Sequence, residues 1–344
     1  MQLYNRLSSD ERSRILDTKN QKRITLSFYK YAIIKNPQIL RDKLFVFWDH
    51  MEVLGRIYVA NEGINAQLSV PEKNLKRFSN HLNSISFLKN IRINIALKHE
   101  IKSFLKLKIK VKKKILADGL NDKSFDVTKK GIHLNANEFN NLMKNKNSIV
   151  LDMRNHYESE IGHFKNAICP DVDTFRDSLD LIESDLRKHK KNKNLLMYCT
   201  GGIRCEKASA YFKHKGFKNV YQLEGGIVEY IRQVKSQNLE NNFIGKNFVF
   251  DNRRVEEVSG KVIAKCHQCG DPFDIHTNCA NDACHLLFIQ CEKCKLKMKN
   301  CCSYKCMEIN NMPFKIQKEL RKGQKNSNDI FKKGRRDNIT TFDS

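Results

Sequence analysis

The chain has 344 residues and carries 63 Lys and Arg against 38 Asp and Glu, a formal net charge of +25. That length accommodates two or three domains with at least one well-buried core, and the positive excess suits a polyanionic partner such as nucleic acid, although the Lys-, Asn- and Ile-heavy composition is also what an AT-rich genome imposes without selection for binding. No run approaches the ~18 apolar residues of a membrane span, and Met1-Gln2-Leu3-Tyr4-Asn5 opens no signal-peptide core, so a cytoplasmic protein with no membrane partner is expected.

Residues 24–31, Ile-Thr-Leu-Ser-Phe-Tyr-Lys-Tyr, are β-branched and aromatic and predict a strand. Residues 37–51 predict a helix with proline at its start. Strands are expected at 56–60 and 64–70 around the turn-forming Asn61-Glu62-Gly63, then a helix at 72–85 and a strand at 91–97. The order βαββαβ predicts a ferredoxin-like α+β domain. Residues 105–112 then alternate strictly, with Lys106, Lys108, Lys110 and Lys112 on one face. Such a strand is either an exposed edge kept soluble by lysine or a ridge that contacts phosphates.

From about Phe125 to Gln237 the pattern is that of an α/β parallel sheet with crossover helices. Short apolar runs at 148–152 and 194–198 end in polar residues, as buried parallel strands do. Helices are expected at 174–189 and 205–215, a further strand at 219–223, and Gly225-Gly226 at the opening of the next helix.

The chemistry concentrates in Tyr198-Cys199-Thr200-Gly201-Gly202-Ile203-Arg204-Cys205. Cys199 follows the end of an apolar strand, the position at which open α/β folds present their ligands. Gly201 and Gly202 let backbone N–H groups converge on an anion, the following helix adds its positive end, and Arg204 adds a permanent cation. Each of these lowers a thiol pKa, so Cys199 is expected to be largely thiolate near neutral pH, the nucleophilic form. Cys205 is a candidate resolving thiol or a packed helix-start residue. Asp152 and Arg154 are candidates either for catalysis or for a buried, turn-fixing ion pair.

Twelve cysteines are very unevenly placed: Cys169, Cys199 and Cys205 lie centrally, and nine fall between Cys266 and Cys306. Cys266 and Cys269, Cys279 and Cys284, Cys291 and Cys294, and Cys301, Cys302 and Cys306 supply enough thiols for two tetrahedral four-cysteine zinc sites, with His267, His276 and His285 as possible substitutes. Reduced packing cysteines or a redox relay are the alternatives. Beyond Pro313 a polar tail contains Lys332-Lys333-Gly334-Arg335-Arg336 and is expected to be flexible.

The loop from Cys199 to Arg204, a cysteine, four intervening residues and an arginine, resembles that of rhodaneses, as do Leu151-Asp152-Met153-Arg154 and the stretch around Gly162-His163-Phe164. The related dual-specificity phosphatases carry one more loop residue, so the resemblance favours sulfur or oxygen chemistry over phosphate hydrolysis. It extends further: residues 27–31, 55–67, 197–208 and 243–251 and Cys266-His267-Gln268-Cys269-Gly270 are similar, in order, to the bacterial tRNA uridine(34) hydroxylases. This resemblance implies oxygen-dependent hydroxylation of the wobble uridine to 5-hydroxyuridine, with molecular oxygen as co-substrate and an unidentified electron donor. It further implies Cys199 as active-site residue with a persulfide-type intermediate, and the tRNA anticodon stem-loop as partner. No dinucleotide, flavin or iron motif for catalysis is evident. A rhodanese-type sulfurtransferase carrying sulfane sulfur on Cys199 is the alternative, and a tRNA-binding module with a vestigial loop a third.

The expected architecture is therefore α/β multidomain: a ferredoxin-like domain with its linker strand at 1–122, a rhodanese-like domain at 123–240, a Cys-rich module at 241–312 that is a candidate for zinc binding, and a basic flexible tail at 313–344.

Overall fold

A computed structural model describes residues 7–120, 125–322 and 339–342. The chain divides into two compact units: Met1–Ile149, Arg187–Glu240 and Val249–Glu256 form the first, and Val150–Leu186, Asn241–Phe248 and Glu257–Ser344 the second. The expected basic run 332–336 and the boundary at 122/123 lie outside the described residues.

In the first unit, α1 (Ser9–Lys19) precedes β1 (Arg23–Tyr31), α2 (Pro37–His50), β2 (Leu54–Ala60), β3 (Gly63–Pro71), α3 (Leu75–Ser84), β4 (Asn94–Ile95) and β5 (Leu107–Val111). The sheet order β4-β1-β3-β2-β5 is the ferredoxin-like arrangement extended by one strand. Antiparallel pairing of β1 with β3 runs from Arg23↔Pro71 to Tyr31↔Gly63. Side chains alternate across a strand, so Leu26 and Phe28 enter a core with Trp48 and Phe78, where the Phe28 and Trp48 rings meet edge-on at 6.4 Å. Ser27, Tyr29 and Tyr31 therefore stand on the opposite face. Asn94 pairs with Ser27 and shares that face.

Two expectations shift at their edges. The helix expected at 72–85 is a short 3-10 turn over Glu72–Asn74 followed by α3. The strand expected at 91–97 shrinks to Asn94–Ile95, because the Leu97 N–H is drawn to the Glu256 carboxylate at 3.1 Å instead of a strand partner. The lysine-bearing strand does form: β5 lies parallel to β2, with Leu107 and Ile109 buried and Lys108 and Lys110 exposed.

The first unit also holds β6 (Ile132–Leu134), α4 (Ala136–Met143), the start of β7 (Ser148–Asp152), β9 (Asn194–Tyr198), α7 (Ile203–His214), β10 (Asn219–Leu223) and α8 (Gly226–Gln237). Strands β6, β10 and β9 are parallel neighbours. The N–H of Asn194 donates to the Asn147 carbonyl where β7 begins beside β9. Leu195 to Tyr198 are all buried, as expected of a central parallel strand.

The second unit contains α5 (His156–Ser159), β8 (Gly162–Phe164), α6 (Phe175–Leu186) and β11 (Phe243–Phe248), with β8 antiparallel to β11. β12 (Val255–Glu257) ends at the division between the units. A hairpin of β13 (His276–Asn278) and β14 (Leu287–Ile289) leads to α9 (Glu292–Lys297), α10 (Tyr304–Asn311) and α11 (Phe314–Arg321). Part of the segment expected to be a flexible tail is described. Residues 314–321 are helical, and the Phe342 N–H donates to the Gln268 carbonyl of the cysteine-rich module at 2.7 Å.

Candidate active site

The reactive loop is built where β9 stops. Tyr198 is the last strand residue, Gly202 caps α7 with φ +98, and Ile203 begins the helix. Only a residue without Cβ holds that backbone cheaply. The turn brings the Gly202 N–H to 3.1 Å from Cys199 Sγ, so the backbone donates to the sulfur. From the other side, the first turn of α8 closes on the loop: the Ile227 N–H donates to the Cys199 carbonyl at 3.0 Å and that of Val228 to the Thr200 carbonyl at 3.3 Å. Gly226, at φ +68, makes this approach possible, since a Cβ there would lie 2.5 Å from the Cys199 carbonyl oxygen.

Cys199 is fully buried. Burial pushes its thiol pKa up, but a hydrogen bond with the Cys205 side chain, the Arg204 charge and the Cys205 and Gly202 backbone N–H groups outweigh it and bring the value to about 6. Arg204 Nη2 donates to Thr200 Oγ1 at 3.3 Å, and its guanidinium lies over the Phe250 ring at 5.7 Å. The structure thus brings together Cys199, Thr200, Gly201, Gly202, Ile203, Arg204 and Cys205 as one anion-stabilising loop.

Two residues with no assigned role in the sequence reading touch this loop from the N-terminal sheet. Asn94 Nδ2 donates to the Gly201 carbonyl at 3.2 Å, and the Tyr29 hydroxyl donates to Glu206 Oε1 at 3.3 Å. Burial raises the Tyr29 phenol pKa, and the charges of Glu206, Cys199 and Cys205 raise it further. Burial also pushes Glu206 up, yet hydrogen bonds to His133 and Lys130 hold it below the usual carboxylate value. The available signal was alternation alone: polar Tyr29 and Asn94 sit on the face turned away from the apolar core.

Asp152 and Arg154 lie in the second unit, both fully buried. Arg154 Nε donates to Asp152 Oδ1 at 2.9 Å, Nη2 to Oδ2 at 2.6 Å, and Nη2 also to the Gly162 carbonyl at 2.5 Å. The pair fixes the turn that leads from β7 toward β8.

The cysteine-rich module contains two groups whose sulfur atoms lie within 4.8 Å of one another: Cys266, Cys269, Cys291 and Cys294, and Cys279, Cys284, Cys302 and Cys306. Four converging thiols, almost all buried, form a donor set that fits a tetrahedral thiophilic ion. N–H groups point at the sulfurs: Cys291 donates to Cys266 Sγ at 3.3 Å and Cys302 to Cys279 Sγ at 3.5 Å. Cys301, the ninth thiol of the module, stands in neither group, and its Sγ lies 3.6 Å from the Lys299 carbonyl. The histidines offered as substitutes also stand elsewhere: His267 Nε2 is 2.7 Å from Glu160 Oε1, His276 packs edge-on against Tyr157 and Phe248, and His285 pairs with Asp282. Among the described residues no helix is long and apolar enough to cross a membrane.

A low-pKa cysteine in a glycine-rich turn between a buried parallel strand and the helix that follows it is the arrangement of rhodanese-domain proteins, and the chain carries such a domain. Residues 135–233 match the family model for the rhodanese-like domain, residues 23–115 that for the UPF0176 acylphosphatase like domain, and residues 244–307 that for the rhodanase C-terminal region. A tRNA uridine(34) hydroxylase of Leptospira interrogans is 54% identical over 320 residues, covering 93% of this chain and 87% of its own. One of Escherichia fergusonii is 49% identical over 334 residues, covering 97% and 95%. The chain belongs to the tRNA uridine(34) hydroxylase family.

Proposed function

We propose that the protein is an enzyme that hydroxylates the wobble uridine of tRNA at C5, giving 5-hydroxyuridine, with molecular oxygen as co-substrate. The observation that carries this reading is Cys199, a buried thiol brought to about 6 by Arg204 and its loop, in a chain about half identical to named tRNA uridine(34) hydroxylases over nearly its whole length. One oxygen atom enters the C5–H bond. The other leaves as water with two protons and two electrons, so a reductant must act with the protein as electron donor. Cys199 supplies the nucleophile, residues Thr200 to Arg204 hold developing negative charge, and Cys205 is the auxiliary thiol beside it. Asp152 and Arg154 keep the sheet-end turn in shape.

The anticodon stem-loop is the partner. A wobble base is already unstacked from any duplex, so reaching it is inexpensive. Lys108, Lys110 and Lys112 stand exposed at the edge of the N-terminal sheet, with half-buried Lys106 at its start, and suit phosphate contacts. The two four-cysteine groups hold zinc as a structural ion. A cytoplasmic setting follows from the tRNA substrate and keeps all twelve cysteines reduced, the state in which they stand here.

The test is nucleoside mass spectrometry of tRNA from a strain deleted for the gene and complemented with wild type or Cys199→Ala. Wild type is expected to restore 5-hydroxyuridine and Cys199→Ala to leave it absent. Full 5-hydroxyuridine with Cys199→Ala overturns the assignment. Thiosulfate turnover by the wild type with no change in tRNA nucleosides makes it a sulfurtransferase instead.

A further inference from the structure

Beside the reactive loop, wholly within the first unit, lies a pocket of about 350 Å³ lined by Tyr29, Tyr31, Arg92, Asn94, Lys130 and His133 among others. The volume falls at the small-molecule end of binding clefts and suits one nucleotide. Tyr29 and Tyr31 are half-buried, with rings 6.4 Å apart and edge-on, and aromatic walls are what extruded bases stack on. Arg92 and Lys130 are exposed at the rim, paired with Glu224 and Glu206 and carrying further N–H donors.

Asn94 distinguishes this pocket from a surface hollow. The residue is 4% exposed. Nδ2 must face the Gly201 carbonyl, which can only accept, and this fixes the amide orientation. Oδ1 is then held in place as a buried acceptor with no hydrogen-bond partner among the described residues. Such orphaned groups are rare and call for a donor.

We propose that this pocket receives the wobble nucleotide and that Asn94 is its specificity-determining residue, with Oδ1 accepting the imide N3–H of uracil. This deepens, and rests on, the reading of the protein as a tRNA uridine hydroxylase. Uracil presents a donor at N3, whereas cytosine presents a lone pair there, which a fixed carbonyl oxygen repels. Tyr29 and Tyr31 form the aromatic wall beside the ring, and Arg92 and Lys130 meet the adjoining phosphates. The Gly201 contact ties base recognition to the loop that carries Cys199, two residues away. The N-terminal sheet therefore contributes half of the substrate site.

The test uses the full-length protein and two anticodon stem-loop RNAs that differ only at position 34, one with uridine and one with 3-methyluridine, whose methyl group replaces the N3–H. Wild type is expected to bind the uridine RNA about ten-fold more tightly, the scale of one buried hydrogen bond. Asn94→Ala and Asn94→Ser are expected to bind the two RNAs alike, while the Cys199 thiol still titrates near 6, which a collapsed loop would not allow. Retention of the ten-fold preference in both variants overturns the proposal, as does its absence in wild type that still makes 5-hydroxyuridine. Wild type that neither binds the stem-loop nor modifies uridine 34 overturns the functional reading itself.

Discussion

Lys207 Nζ lies 2.8 Å from Glu62 Oε2 across 145 residues of sequence, and 3.2 Å from Asp118 Oδ2, with its own side chain 1% exposed. Lys207 belongs to the helix that follows Cys199, whereas Glu62 belongs to the hairpin turn between β2 and β3. The Ile115 N–H also donates to Glu62 Oε1 at 2.8 Å, and Lys114 Nζ to Asp118 Oδ1 at 2.7 Å. This buried ionic cluster fastens the helix of the reactive loop to the sheet that bears Tyr29 and Asn94.

Removing one partner leaves the others charged and buried. Lys207→Met is expected to lower unfolding free energy by about 3–5 kcal/mol, the cost typical of breaking a buried pair. Urea denaturation followed by circular dichroism reads this, and an unchanged midpoint would show that the cluster is not needed for stability.

The Cys199 thiol sets a pH window. Its folded value of about 6 lies below the ordinary thiol value of 9.0. Between these the unfolded chain holds a proton that the folded one has released, so stability rises with pH from about 6 to about 9 and this contribution is lost as pH falls through 6. Alkylation of the Cys199 peptide by iodoacetamide, followed by mass spectrometry, is expected to be half-maximal near pH 6. Arg204→Gln should move that midpoint up by about one unit, the scale of a lost neighbouring charge.

Gly226→Ala addresses the loop by geometry rather than charge. Its Cβ would meet the Cys199, Thr200 and Gly201 backbone at 2.5 to 2.7 Å, on a residue whose φ is +68. Displacement of the loop is expected to abolish the low alkylation midpoint and 5-hydroxyuridine formation together. Retention of both would mean that α8 yields without cost.

The two cysteine groups interleave along the chain: Cys266 and Cys269, then Cys279 and Cys284, then Cys291 and Cys294, then Cys302 and Cys306 alternate between sites. Gln268 Nε2 donates to the Cys301 and Cys302 carbonyls, both at 3.3 Å, so a residue between two ligands of one site holds a ligand of the other. Two zinc ions per chain are expected by elemental analysis. Because metal binding and folding are coupled, Cys266→Ser should lose most of both ions, whereas Cys301→Ser should keep both.

Lys108, Lys110 and Lys112 are open to an electrostatic test. Replacing all three by Gln should weaken stem-loop binding and flatten the slope of log affinity against log salt by about 2 to 3. An unchanged slope would leave β5 as a soluble sheet edge and nothing more.

Cys199, its glycines, Arg204 and the strand-to-helix turn were legible in the sequence because the chemistry is local: adjacent residues create the anion-binding loop wherever the chain later packs. The βαββαβ order was legible for the same reason, since period-2 alternation and turn residues act over short spans. The cysteine pairs were visible as well, but not which pairs join or that Cys301 turns away, because interleaved ligand sets depend on how the hairpin and helices fold over one another. Tyr29 and Asn94 were visible only as the polar face of alternating strands, and Glu62 and Lys207 only as members of a turn and of a helix, with nothing local to say which of them meet. They meet through contacts 107 to 177 residues apart, and only tertiary packing placed the N-terminal sheet against the loop. Local sequence was enough to place Cys199 in a loop that lowers its thiol pKa. The tertiary structure decided what surrounds it, because recognition requires groups from separate elements to converge on one point.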